Sequence, residues 1–67
     1  MFEVDANGFT CEFENGDDAI NAFLIAVYMV DSDINVSELF RKVKYDLEHS
    51  QYNRYDYKNS VSIMQIH

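Results

Sequence analysis

Residues 2–14 read FEVDANGFTCEFE and decide the fold, because they join a tight-turn signal to strict alternation on either side. Asn7-Gly8 is the dipeptide that adopts the positive φ angles of a two-residue type I′ turn at the lowest cost. Side chains of a strand alternate between its faces, so the predicted hairpin has one apolar and one mainly acidic face. The apolar set is Phe2, Val4, Ala6, Phe9, Cys11 and Phe13. The polar set is Glu3, Asp5, Thr10, Glu12 and Glu14.

The two-residue turn also determines which hairpin residues stand opposite each other. Ala6 pairs with Phe9 beside the turn, which places Glu3 directly across from Glu12. Like charges in this arrangement cost between a few tenths of a kcal/mol and about 1 kcal/mol. The cost indicates that something outside the fold uses the negative surface. A second interpretation stays open, because a solvated sheet face needs polar residues and acidic proteins stay dispersed by mutual repulsion.

Charge is distributed unevenly along the chain. The formal net charge of the 67 residues is −7, and residues 1–40 contain nine acidic side chains but no Lys or Arg. Residues 41–67 contain five basic and three acidic side chains. Nucleic acids and anionic membranes repel an acidic surface, so this asymmetry favours a basic protein as the partner.

The residues after the hairpin predict the start of a first helix. Asn15 is a good N-cap, and Asp17 and Asp18 suit the positive end of the helix dipole. We expect one broad apolar face to lie on the sheet, and it consists of Ile20, Phe23, Leu24, Val27 and Val30. Ile25 and Met29 fall outside this face. We expect the second helix to cover them, with another chain as the alternative.

A second helix is predicted from Val36 to about Ser50. Asn35 and Glu38 are spaced as a capping box at its start. The apolar stripe of this helix consists of Val36, Leu39, Phe40, Val43 and Leu47. Tyr45 lies on the opposite, charged face, where an exposed tyrosine is a common anchor of protein interfaces.

The C-terminal part of the chain predicts one or two further strands. Residues 61–66 read as a strand, and Tyr55-Asp56-Tyr57 as a shorter one before a turn at Lys58-Asn59-Ser60. We interpret residues 1–67 as one complete α+β domain with element order ββααβ or ββααββ. In either form, two antiparallel helices lie on one face of an antiparallel sheet.

The tyrosines of this segment suggest a nucleic-acid contact that the charge argues against. Tyr52, Tyr55 and Tyr57 lie near Arg54 and Lys58, as in a stacking platform for single-stranded nucleic acid. The net charge of the chain disfavours that use. We therefore favour packing at the sheet edge or contact with a protein.

No pattern in the sequence is typical of an enzyme, a metal site or a bound cofactor. The single cysteine, Cys11, is predicted on the apolar face of the hairpin, where a thiol behaves as a small buried hydrophobe. Residues 31–35 resemble the start of a Ca²⁺ loop, but Val36 and Lys42 stand where that loop needs Gly and Glu. We predict no catalytic residue, no metal and no cofactor. We expect a cytoplasmic protein, because no secretory signal and no membrane-spanning apolar run is found.

The density of carboxylates leads to a functional hypothesis. Side chains on one face of a strand repeat about every 6.8 Å, and the next strand lies under about 5 Å away, so their charge density approaches that of a phosphate backbone. We predict a small acidic inhibitor that mimics DNA or RNA and occupies the basic, nucleic-acid-binding surface of a target protein or complex. The candidate contact residues are Glu3, Asp5, Glu12, Glu14, Asp17, Asp18, Asp31, Asp33 and Tyr45.

In type, such a chain is similar to phage-encoded anti-restriction and anti-CRISPR proteins, which act in the host cytoplasm. The alternative hypothesis is an interaction module, either a homo-oligomer such as a homodimer or a subunit of a small complex. That module would use Ile25, Met29 and the tyrosines as an apolar contact. Salt separates the two hypotheses, since it weakens contacts between exposed charges and leaves apolar burial intact.

Overall fold

The computed structural model describes residues 1–49 and 53–66. The elements in chain order are β1 (Phe2–Ala6), β2 (Phe9–Phe13), α1 (Gly16–Val30), α2 (Val36–His49), β3 (Arg54–Tyr57) and β4 (Val61–Gln65). The predicted α+β fold is confirmed in its ββααββ form. The end of the second helix that we predicted at Ser50 lies outside the described residues.

The four strands form one antiparallel sheet in the order β2-β1-β4-β3. Asn7 and Gly8 have φ angles of 54° and 86°, as the type I′ turn requires, and Glu3 stands across from Glu12 as predicted. On its other side β1 pairs with β4, so that Val4 lies opposite Ile63. The first and last strands are therefore neighbours in the middle of the sheet, and β2 and β3 are its edges.

A second tight turn joins β3 to β4 at the position that the sequence predicts. Lys58 and Asn59 have φ angles of 48° and 59°, and the Ser60 N–H donates to the Tyr57 carbonyl at 2.9 Å. The geometry repeats that of Asn7-Gly8, but no glycine is present. A lysine with a left-handed backbone is strained, because its Cβ lies close to the following carbonyl oxygen.

Both helices begin at the caps that the sequence predicts. The Asn15 Oδ1 atom accepts a hydrogen bond from the Asp17 N–H at 2.7 Å, and the Asn35 Oδ1 atom accepts one from the Glu38 N–H at 3.0 Å. The Glu38 carboxylate lies 3.2 Å from the Lys42 ammonium. Each cap satisfies a backbone donor that the first turn of a helix leaves without a partner.

The core lies between the sheet and the two helices, which share one face of the sheet. Helix α1 contacts mainly β1 and β4, and α2 contacts β3. Phe23 is fully buried at the centre and meets the ring of Tyr55 edge-on, with 5.9 Å between the ring centroids. The buried side chains are Val4, Ala19, Ile20, Phe23, Leu24, Val27, Leu39, Val43, Leu47, Tyr57, Val61 and Ile63.

Two predictions about β2 are wrong. Cys11 is exposed rather than buried, and Phe9 is 81% exposed. Both residues do lie on the helix side of the sheet, because Cys11 stands opposite the buried Val4 and Phe9 stands opposite Ala6. Helix α1 contacts β2, where Phe13 packs against the core, but the helices leave the part of β2 that carries Phe9 and Cys11 uncovered.

The prediction that α2 covers Ile25 and Met29 is also wrong, since these side chains are 63% and 81% exposed. Helix α2 packs beside Leu24, which shares a groove with Phe40. Ile25 and Met29 lie about 100° and 140° further round α1, where α2 does not reach. Two residues that we placed on apolar faces, Val30 and Val36, are exposed at the helix ends.

Candidate functional site

The face of the sheet that the helices leave uncovered is the candidate site, and we call it the open face. Strand alternation turns its side chains away from the core. It consists of Glu3, Asp5, Thr10, Glu12, Arg54, Asp56, Ser62 and Met64. Pairing arranges these residues in two rows across the four strands. One row is Glu12, Glu3, Met64 and Arg54, and the other is Thr10, Asp5, Ser62 and Asp56.

The negative charge of the open face is concentrated on β1 and β2. Glu3 and Glu12 are direct cross-strand neighbours, and Asp5 lies two residues along β1 from Glu3. Neighbouring strands are about 4.8 Å apart, so the carboxylates of Glu3 and Glu12 repel each other at short range. A bound cation would relieve this repulsion.

Asp5 also has a structural role in the hairpin. Its Oδ1 atom accepts a hydrogen bond from the Gly8 N–H, and its Oδ2 atom accepts one from the Thr10 hydroxyl, both at 3.3 Å. These bonds hold the turn between β1 and β2. Asp5 therefore contributes to the shape of the site as well as to its charge.

On the β3 side of the open face, a positive side chain is paired with a negative one. The Arg54 guanidinium donates to both carboxylate oxygens of Asp56, at 2.9 Å from Nη2 and 3.0 Å from Nε. The Asp56 contact raises the pKa of Arg54, and the negative fields of Asp5 and Glu3 raise it further. The electric field of the β1 carboxylates thus reaches Arg54 on β3. The negative charge that this arginine does not balance lies on the β2 side of the open face.

The four helix-end carboxylates separate into two groups. Gly16, the first residue of α1, lies against the Phe2 ring, so Asp17 and Asp18 are in the helix layer at that end of the sheet, and Asp17 shares a groove with Lys44 of α2. Asp31 and Asp33 follow the other end of this 15-residue helix, about 22 Å away. The sequence placed these four residues near helix ends, but it gave no distance between the two groups.

Asp31 is engaged inside the molecule. Its Oδ2 atom accepts a hydrogen bond from the Tyr57 hydroxyl at 2.5 Å and lies 3.6 Å from the Lys58 ammonium. The Tyr57 bond is the main cause that lowers the pKa of Asp31, and the same bond raises the pKa of Tyr57. Asp31 ties the end of α1 to the turn between β3 and β4, so it is a poor candidate for contact with a partner. Asp33 is exposed beside it.

Tyr45 lies in the helix layer, away from the open face. Its ring is exposed on α2 and stacks on His49, with 4.2 Å between the ring centroids. Arg41 and Lys42 line the same surface groove. The structure does not bring Tyr45 together with the carboxylates, and one flat partner surface does not contact both.

The tyrosines of β3 do not form a stacking platform. Tyr57 is buried, and the ring of Tyr55 packs perpendicular to the ring of Phe23. Tyr52, the third member of that predicted group, lies outside the described residues.

The sequence missed an apolar surface beside the acidic one. Phe9 and Cys11 are exposed on β2, and we call these two residues the β2 flank. Met29 is exposed on the part of the α1 surface that α2 does not cover. Phe9 and Met29 lie at the same end of the sheet, because the end of α1 is bonded to the β3-β4 turn next to the Asn7-Gly8 turn. Only the strand order reveals this surface.

Within residues 1–49 and 53–66, no three His, Cys, Asp or Glu side chains converge as a metal site would require. No helix among these residues is long and apolar enough to cross a membrane. Comparison of the chain with protein-family models, with curated proteins and with solved structures found no match.

Proposed function

We propose that this protein is a small acidic inhibitor that binds the basic, nucleic-acid-binding surface of a target protein and thereby keeps nucleic acid away. The observation that carries the proposal is the cross-strand pair of Glu3 and Glu12, with Asp5 beside it on the open face. Folding alone gains nothing from this pair, since opposed like charges reduce the stability of a hairpin.

The carboxylates of the open face are suited to Lys and Arg side chains that otherwise hold phosphates. Each oxygen accepts charge-assisted hydrogen bonds, and a guanidinium can bind one carboxylate through two of them. Exposed pairs contribute only about 0.2–1 kcal/mol each, so a stable complex needs several pairs together with buried apolar area. The negative field would also accelerate encounter with a basic target.

The proposed contact is centred on Glu3, Asp5 and Glu12. Glu14 follows β2 and is exposed, so it continues the negative charge of Glu12 along the chain, whereas Asp17 and Asp18 lie in the first turn of α1. Such a surface resembles a run of phosphates in charge and spacing. We leave Asp31, Asp33 and Tyr45 out of this contact because of their positions in the fold.

A second candidate function is an interaction module that associates through apolar surface. Ile25 and Met29 are exposed on α1, and Phe9 is exposed on β2. In this function a partner, or a second copy of the chain, buries these side chains and the acidic face contributes little. The association would then be maintained or strengthened as salt rises.

An affinity capture from a cell extract separates the two functions. The chain is immobilised, loaded at low salt and eluted with stepwise increasing salt. The test variant is the double reversal Glu3→Lys and Glu12→Lys. Its matched control is the double reversal Glu38→Lys and Glu48→Lys, which changes the net charge equally on the exposed face of α2. Circular dichroism establishes that each variant is folded.

The inhibitor predicts capture of a basic nucleic-acid-binding protein that elutes at moderate salt. The open-face variant should lose this protein and the α2 variant should retain it. Added DNA or RNA should compete with the chain for the purified target in a gel-shift assay. Undiminished capture by the open-face variant, or simultaneous binding of nucleic acid and chain, would refute the inhibitor. Salt-resistant capture that Met29→Asp abolishes would support the interaction module instead.

A further inference from the structure

The backbone of β2 presents hydrogen-bonding groups at the edge of the sheet. The Asn7 N–H donates to the Ser60 carbonyl at 3.2 Å, and the Ile66 N–H donates to the Met1 carbonyl at 2.7 Å. Odd-numbered residues of β1 therefore direct their backbone groups toward β4, and even-numbered residues direct theirs toward β2.

The β2 residues opposite those even-numbered positions are Phe9, Cys11 and Phe13, and their backbone groups point back to β1. The N–H and C=O groups of Thr10 and Glu12 consequently point outward. They form the outer hydrogen-bonding edge of a regular five-residue strand.

The two faces beside this edge differ in chemistry. Thr10 and Glu12 lie on the open face, with Glu3 behind Glu12. Phe9 and Cys11 lie on the helix side and are exposed as part of the β2 flank. A strand placed beside β2 would therefore meet carboxylates on one face and apolar side chains on the other.

Edge strands of monomeric proteins are usually protected by lysine, by proline, by a bulge or by a covering element. Strand β2 has neither lysine nor proline, and its pairing with β1 is regular over all five residues. Its one glutamate lies next to another glutamate, which adds negative charge where a partner strand would approach. The edge is thus open to a strand of opposite charge.

We propose that the target binds by adding an antiparallel strand to β2, and that this strand alternates basic and apolar residues. The proposal rests on the proposed function and specifies the form of the target segment. Residues opposite Thr10 and Glu12 share the open face and are basic, and the residue opposite Cys11 is apolar. Antiparallel addition continues the pairing found throughout this sheet.

Charge complementarity selects a basic partner over a second copy of the chain. Pairing of β2 with β2 of another copy would bring together two acidic open faces, each part of a chain with a net charge of −7. A basic strand neutralises Glu12 and Glu3 and buries Phe9 and Cys11 in the same step.

A synthetic peptide tests this inference without knowledge of the target. The probe is a blocked seven-residue peptide in which valine and lysine alternate, beginning and ending with valine. The control has the same composition with its three lysines grouped at one end, so its charge is equal. Fluorescence anisotropy at low salt measures both affinities. We expect the alternating peptide to bind at least tenfold more tightly, and equal binding would overturn the proposal.

Backbone methylation of the peptide tests the pairing directly. In the proposed register the lysine N–H groups point toward β2 and the valine N–H groups point away. N-methylation of two lysines should reduce affinity at least tenfold, whereas N-methylation of two valines should leave it nearly unchanged. Equal effects of the two modifications would contradict antiparallel strand addition. This comparison uses the unaltered protein, so it does not depend on the folding of a variant.

A variant of β2 distinguishes the contribution of backbone pairing at the edge from that of charge attraction. Thr10→Pro removes one outward N–H and retains every charge, and proline is tolerated at such an edge position. Thr10→Val is the matched control, since it loses the hydroxyl bond to Asp5 but retains the backbone donor. We expect Thr10→Pro to bind the alternating peptide at least tenfold more weakly than Thr10→Val does, and equal affinities of the two variants would contradict strand addition.

The same variants distinguish failure of this inference from failure of the proposed function. If Thr10→Pro still captures the basic target from extract and the open-face reversal does not, the inhibitor stands and strand addition is wrong. If the open-face reversal still captures the target, the proposed function fails. If sedimentation shows that the free chain is a dimer that Thr10→Pro dissociates, a second copy occupies the edge and our proposal is overturned.

Discussion

The two edges of the sheet are protected to very different degrees. At the β3 edge, Tyr57 is buried, Tyr55 packs against the core, and Arg54 is paired with Asp56. At the β2 edge, the helix-side residue Phe9 is exposed and the open-face pair consists of two carboxylates. Helix α2 contacts β3, whereas α1 contacts β2 but leaves Phe9 and Cys11 exposed.

This difference is the reason that our proposal assigns the β2 side of the molecule, and not the β3 side, to a partner. An edge that is covered by a helix and compensated in charge serves the fold. The β2 edge instead combines a like-charge pair, which reduces the stability of the free chain, with uncovered apolar side chains, which contribute little to that stability. Four predictions test the comparison.

The largest expected effect concerns the aromatic residues on the helix side of each edge. Tyr57→Ala should cost about 3–5 kcal/mol, because it leaves a cavity in the core and removes the partner of Asp31. One small core supplies no more than about 3–5 kcal/mol, so this variant should be largely unfolded. Phe9→Ala should change the free energy of unfolding by no more than about 0.5 kcal/mol. Urea unfolding measures both, and comparable losses would show that the edges are equally packed.

The turns that end the two hairpins should respond in opposite directions. Gly8→Val should lower the free energy of unfolding by about 1–2 kcal/mol, because a residue with a Cβ is strained at the φ angle of 86°. A Cβ at this position has no other atom within 4 Å, so the penalty comes from the backbone conformation and not from a clash. Lys58→Gly should raise the free energy of unfolding by up to about 1 kcal/mol by relieving the strain at φ 48°. Its ion pair with Asp31 is exposed on the lysine side and offsets little of this gain. A destabilised Lys58→Gly would mean that the strain is absent.

Charge reversal on the open face should also change the free energy of unfolding in opposite directions at the two edges. Glu12→Lys should stabilise the chain by about 0.2–1 kcal/mol, because it replaces a repulsive cross-strand pair with an attractive one. Asp56→Lys should destabilise it by a similar amount, because Arg54 loses its partner. Thermal unfolding at low salt measures both, and high salt should reduce both. A stabilised Glu12→Lys that no longer captures the target would show directly that the negative charge serves binding.

The fourth prediction concerns the direction in which stability changes with pH through the contact between Asp31 and Tyr57. The pKa of Asp31 lies below its ordinary value of 3.8, so its contribution is present above that pH and is lost as pH falls through the lowered pKa. The pKa of Tyr57 lies above its ordinary value of 10.0, so its contribution is lost as pH rises through the raised pKa. Tyr57→Phe should flatten both slopes in denaturant unfolding between pH 2.5 and 11. Unchanged acid and alkaline slopes would show that the bond contributes nothing to stability.

Much of the fold could be predicted because its signals are local. The Asn7-Gly8 turn determined the register that opposes Glu3 and Glu12, and the Asn15 and Asn35 caps determined where the helices begin. These features depend on residues within a few positions of each other, where backbone geometry and hydrogen bonding admit few alternatives.

The candidate site was only partly predictable for the opposite reason. The cross-strand carboxylates follow from the hairpin alone, but the separation of Asp17 from Asp31 depends on how the helix lies on the sheet. Tyr45 lies in the helix layer. The periodicity of one helix shows which residues share a face of that helix, but it does not show where that face lies relative to a distant strand. Candidate residues that lie far apart in sequence could therefore be listed but not assembled.

The element types, the helix caps, the hairpin register and the acidic face all follow from residues that are neighbours in the sequence. The pairing of β1 with β4 follows instead from the packing of distant elements, and it makes β2 an edge strand on which Phe9 and Cys11 are exposed. The packing of distant elements also places α2 beside Leu24 and leaves Met29 uncovered. The physical reason is that amphipathic alternation identifies an apolar face, whereas burial depends on which other elements cover that face.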